Sequence, residues 1–75
     1  MIHQDDLQFW LLEHKTSKSH NLTELGLANK IGRDATILMQ AIGQNGEVDL
    51  TAQEILETAI RLSVNSFILA EKIKI

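Results

Sequence analysis

The apolar positions of this chain recur at three- and four-residue intervals for most of its length and alternate only in short stretches. In "HQDDLQFWLLEHK", Leu7, Trp10, Leu11 and the aliphatic part of His14 share one stripe, the spacing of a helix with a single buried face. Asp5 and Asp6 stand in its first turn and Lys15 in its last, each charge suited to the end of the helix dipole it faces. "TSKSHN" is polar and predicts a loop. Asn21 and Glu24 have the spacing of a capping box, so a second helix is expected to start near Leu22. It presents Leu25, Leu27, Ala28 and Ile31, then meets Gly32, a natural residue for the left-handed conformation that ends helices. Asp34 can cap a third helix, with Leu38 and Ala41 inward and Gly43 closing it.

Beyond Gly43 the helical pattern lapses. Asn45-Gly46 is a turn signal, and Glu47-Val48-Asp49-Leu50 alternates as a short strand or extended segment would. Thr51 and Glu54 form the clearest capping box in the chain and open an apolar helix through Ile55, Leu56, Ala59, Ile60 and Leu62. Val64, Phe67, Ile68 and Leu69 then make the stripe too wide for one face, while Ser63, Asn65 and Ser66 favour caps over helix interiors. A break is expected there, followed by a fifth short helix from Ser66 to Lys72. The closing "KIKI" suits a small strand or a frayed tail. The expected architecture is one all-α domain over residues 1–75. It is a compact bundle of four to five short helices with an extended segment or short strand near 47–50.

Composition narrows the classes. Seventy-five residues support one small core with a thin stability margin. An apolar share of 44% is therefore a surplus, which fits either a full core or an oligomer interface. Cysteine is absent, which removes disulfides, thiol chemistry and cysteine metal sites. No uninterrupted apolar run reaches the ~18 residues a membrane span requires, and the acidic, broken start does not read as a signal peptide. A cytoplasmic protein with no membrane association is expected. The Asn21-Leu22-Thr23 sequon carries little weight without a secretion signal.

The formal net charge of −3 argues mildly against life on phosphate backbones. Its distribution changes that reading. Residues 14–33 hold Lys15, Lys18, Lys30 and Arg33 against only Glu24, with His14 and His20 alongside, while the flanking segments are acidic.

In "LTELGLANKIG", Leu22, Thr23, Leu27, Ala28 and Gly32 follow the spacing of a first motif helix and its turn. On these residues, residues 22–69 resemble the helix-turn-helix domains of phage Cro and repressor proteins, the XRE-like family. The resemblance implies a small Ala28 where the two motif helices cross closely and a tight turn at Gly32. The motif itself spans about residues 22–42. Leu38 and Ala41 match the inward positions of a recognition helix, and "ILETAIRLSVNSFIL" resembles the family's fourth helix, turn and fifth helix. Arg33, Ser63 and the acidic Glu24 depart from the family pattern.

The resemblance further implies base contacts from Arg33, Thr36 and Gln40 in a major groove. Phosphate contacts would come from Thr23, Lys30, Lys15 and Lys18. It also implies a dimer on double-stranded DNA, because one such module makes too few contacts for useful specificity. A solvated surface is the plain alternative for the four cations. Ile37, Met39 and Ile42 point elsewhere, since a DNA-reading helix has little use for them on outer faces. They either fill the core or form a contact with a protein partner.

Other chemistry finds little foothold. Trp10 reads as a core anchor. His3, His14 and His20 have no ligand spacing, and the calcium-loop likeness of "NGEVD" fails because Ala41, Gly43 and Ala52 stand where oxygen ligands are needed. No Ser-His-Asp grouping or glycine-rich phosphate loop is present, so neither an enzyme, a cofactor nor a small-molecule substrate is expected. Two functions remain. One is a dimeric helix-turn-helix transcriptional regulator of phage or plasmid type. The other is an acidic all-α interaction module, such as an inhibitor, adaptor or antitoxin-like subunit, that uses an apolar helix face without binding DNA.

Overall fold

Three helices and one tight turn make up the fold in the computed structural model, which describes residues 3–43 and 50–74. Helix α1 spans Gln4–Thr16, a 3-10 turn spans Lys18–Asn21, α2 spans Glu24–Ile42 and α3 spans Ala52–Ile73. No strand occurs among the described residues. Of the expected extended segment, residues 47–49 lie outside the described set and Leu50 belongs to no regular element.

The all-α reading holds, but the number and breaks of the helices are corrected. The expected turn at Gly32 does not form, and α2 runs through it as one helix of 19 residues. Glycine in a helix interior costs about 1 kcal/mol relative to alanine, which weakens a helix without ending it. Gly43 is the glycine that ends α2. A Cβ there would lie 2.6 Å from the Met39 carbonyl oxygen, while the Gly43 N–H donates to that same oxygen at 2.8 Å.

The expected break at Ser63–Ser66 is also absent, and α3 is one helix of 22 residues. Its two serines there find hydrogen-bond partners without breaking the helix. The Ser66 hydroxyl donates to the Leu62 carbonyl at 2.8 Å, and the Ser63 hydroxyl accepts the Trp10 indole N–H at 3.0 Å. The predicted fifth helix is the continuation of α3, and Lys74 of "KIKI" is its C-terminal cap. Asn21 and Asp34 do not cap helices. Asn21 closes the 3-10 turn, Asp34 lies half-buried inside α2, and Thr23 caps α2 by accepting the Gly26 N–H at 3.0 Å.

At α3 the predicted capping box forms. The Thr51 hydroxyl accepts the Glu54 N–H at 3.1 Å and the Glu54 carboxylate accepts the Thr51 N–H at 3.1 Å. Thr51→Ala is expected to lower stability by about 1 kcal/mol, measurable as a shift in the urea midpoint with an unchanged slope.

Helix α3 is central. Its inner face contributes Val64 and Ile68, which with Leu27 of α2 form the fully buried core; Trp10, Leu22, Ile60 and Leu69 pack around them. Leu27 at the start of α2 meets the late part of α3, and the Lys72 ammonium donates to the His20 carbonyl at 2.8 Å. Helices α2 and α3 are therefore antiparallel. Trp10 reaches Ser63 and His14 reaches Glu71 at 2.8 Å, so α1 runs parallel to α3.

The polar linker read as a loop is the reversal between α1 and α2, and it is built into the interior. Ser19 is fully buried, and its hydroxyl accepts the Lys30 ammonium at 3.1 Å. Ser17 caps the turn by accepting the Ser19 N–H at 3.1 Å. Nearby, the His14 ring stacks on Trp10 with centroids 5.3 Å apart, and Phe67 meets both rings edge-on. Carboxylates and carbonyls only accept. The Nε2–H of His14 therefore donates to Glu71, and that of His20 to the His14 carbonyl.

Candidate protein-contact surface

Helix α2 carries two apolar stripes, because its residues advance by about 100° per position. One stripe is Leu27, Ile31, Leu38 and Ala41, all buried or half-buried against the rest of the fold. The other is Leu25, Ala28, Gly32, Ala35, Met39 and Ile42. Its spacing alternates three and four residues, the repeat of a coiled-coil seam. It lies about 100° around the helix from the core stripe, and only Ala35 in it is even half-buried.

The ends of this seam are the barest large apolar side chains among the described residues. Leu25, Met39 and Ile42 are 71%, 71% and 69% exposed, against 48–58% for Leu7, Leu11, Leu12, Phe67 and Ile73. The middle of the seam is small. Among the described residues, a Cβ placed on Gly32 meets nothing within 4 Å, so none of them requires glycine at that position.

The sequence-predicted contact residues divide here. Met39 and Ile42 share the seam, but Ile37 does not. It lies about 200° from Met39 and is half-buried on the other side of α2. Residues two apart cannot share a helix face. Leu25 and Ala28, expected on the same face as Leu27 and Ile31, are exposed on the seam instead, and a reading that stops the helix at Gly32 does not join them to Gly32 and Ala35. Continued through the glycine, the seven-residue spacing shows them.

The sequence-predicted DNA contacts also divide. Arg33, Thr36 and Gln40 lie along one exposed ridge of α2, with Asn29 in line. The Thr36 hydroxyl donates to the Gly32 carbonyl at 2.9 Å. Lys30 is half-buried and engaged by Ser19, and the Thr23 hydroxyl is engaged as a helix cap. Lys15 and Lys18 are exposed at the end of α1 and in the 3-10 turn. They lie outside the α2 ridge.

A groove lies between α1 and α3. Asp6, Leu7, Trp10, Leu56, Ala59, Ile60 and Ser63 line a groove of about 310 Å³. Among the described residues, no group of His, Asp and Glu side chains is arranged to hold a metal ion, and no helix is long and apolar enough to cross a membrane. Neither a protein-family model, a curated protein nor a solved structure matches the chain.

Proposed function

We propose that this chain is an acidic helical interaction module whose contact surface is the outer face of α2. The observation that carries this reading is the exposure of Leu25, Met39 and Ile42 in one line on a helix whose other apolar stripe already serves the core. A small protein gains nothing from an ordered row of bare aliphatic side chains unless something covers them. The unbroken α2 supports the same reading, because a helix-turn-helix requires two helices crossing at a turn, and residues 24–42 form one helix. Flexible Met39 suits a contact surface, since its thioether adapts to the shape it meets.

A second reading, a DNA-binding regulator, is favoured by the exposed ridge of Arg33, Thr36 and Gln40. These side chains have the chemistry to read guanine, a thymine methyl and adenine. The two readings separate in one pair of measurements. A photo-crosslinking side chain placed at Met39 in the native cells is expected to capture protein, and capture should vanish when Leu25 and Ile42 become Gln. Duplex DNA titrated at low and moderate salt is expected to show no salt-dependent binding. Absence of any protein adduct at Met39 would overturn the interaction reading. Binding that weakens as salt rises, and more weakly so in Arg33→Ala, would establish the DNA reading in its place.

A further inference from the structure

The geometry points to a second copy of this chain as the occupant of the α2 seam, packed antiparallel with the two helices closest near Gly32 and Ala35. This rests on the reading of α2 as a contact surface and names what covers it.

The seam is complementary to its own reverse. Turned end for end, Leu25 faces Ile42 of the second copy, Ala28 faces Met39, and Gly32 faces Ala35. Every layer then pairs two different residues, and each pairing occurs twice, as a two-fold interface demands. Side-chain volume rises from the Gly32–Ala35 layers at the centre, through Ala28–Met39, to Leu25–Ile42 at both ends. That gradient fits two helices that approach most closely midway and diverge outward. It also gives Gly32 a purpose. A glycine with open space around it inside a long helix weakens the isolated chain, but it lets a second backbone approach.

Charge permits the same partner and favours the antiparallel arrangement. A chain of net charge −3 meets a copy of itself only where no like charges oppose. The seam is uncharged, and its flanking positions are Asn29 and Thr36 on one side and Ile31 and Leu38 on the other. Glu24 is the one carboxylate beside the seam, at its N-terminal end. Antiparallel packing holds the two Glu24 side chains at opposite ends, roughly 28 Å apart along the axis. Parallel packing would set them together. The two helix dipoles also oppose in the antiparallel arrangement.

The test uses the whole chain. Sedimentation over a wide concentration range is expected to show a monomer–dimer equilibrium, with a melting temperature that rises with protein concentration. Gly32→Leu should remain folded, because a side chain there meets open space in the single chain, yet its association should weaken about tenfold or more. Its melting temperature should depend on concentration only at correspondingly higher concentrations. The chain has no cysteine, so register is read directly. An oxidised mixture of Leu25→Cys and Ile42→Cys variants should give a covalent species of twice the chain mass, and neither variant alone should do so.

A wild-type chain that stays monomeric at its highest soluble concentration overturns the inference. So does a Gly32→Leu variant that dimerises undiminished, or efficient bridging of Leu25→Cys with itself. A monomer whose Met39 photo-adduct contains a different protein overturns the self-pairing and leaves the interaction reading standing. No adduct of any kind overturns both.

Discussion

Leu27→Ala is expected to unfold much of the population at ambient temperature, or to lower the melting temperature by about 12 to 40 °C. Leu27 is fully buried, and among the described residues only Val64 and Ile68 join it in the fully enclosed apolar core. Truncating a buried leucine costs about 3–5 kcal/mol, from lost transfer energy and the cavity left behind. For a domain of this size each kcal/mol moves the melting temperature by about 4–8 °C. A larger protein would absorb such a loss, but a small one has little margin. The control lies two residues away. Leu25 is 71% exposed, so Leu25→Ala should alter the stability of the dilute, monomeric chain by about 0.5 kcal/mol or less. Thermal unfolding followed by circular dichroism at low concentration reads both. Equal effects from the two variants would mean that the two stripes of α2 have been assigned to the wrong faces.

Ser66→Pro tests the continuity of α3, with an effect of comparable size. Proline in a helix interior removes one backbone hydrogen bond and clashes with the carbonyl four residues back, at a cost of about 3 kcal/mol or more. At the first turn of a new helix it is tolerated, because that N–H has no intrahelical partner. Ser66 lies well inside α3, beside buried Asn65 and near buried Ile68. Ser66→Pro should therefore lose most of its helical signal, and Arg33→Pro should do the same through α2. A chain with a turn at Gly32 and a fresh helix near Ser66 would tolerate both substitutions. Retention of near-wild-type helicity and melting by either would restore the broken-helix reading at that position.

The reading of the two missing breaks failed for a common reason. Glycine, serine and asparagine lower helix propensity by at most about 1 kcal/mol each, and a packed face outweighs that. Ser63 sits opposite the Trp10 indole and Ser66 bonds back to its own helix. The second is local, but the first depends on a residue 53 positions away and is not encoded in residues 63–66. Thr51–Glu54 was legible because a capping box is a local event, complete within four residues. The linker "TSKSHN" was legible as a reversal. Burial of Ser19 was not, because it depends on Lys30 reaching it from the next helix.

For the surface of α2, the sequence held the spacing and the fold chose the face. Leu25, Ala28, Gly32, Ala35, Met39 and Ile42 keep their seven-residue repeat in any helix that includes them all. Leu27, Ile31, Leu38 and Ala41 keep theirs equally. Periodicity cannot rank the two stripes, because both are apolar and only one can meet α3. By itself, the sequence determined an all-α chain, the cap at Thr51, the helix end at Gly43 and the absence of cysteine chemistry. Tertiary structure decided that α2 and α3 run unbroken, that Leu27 rather than Leu25 turns inward, and that Ile37 and Met39 part company. The physical reason is that burial is a property of the assembled helices, and a single helix carries only the angles at which it can be buried.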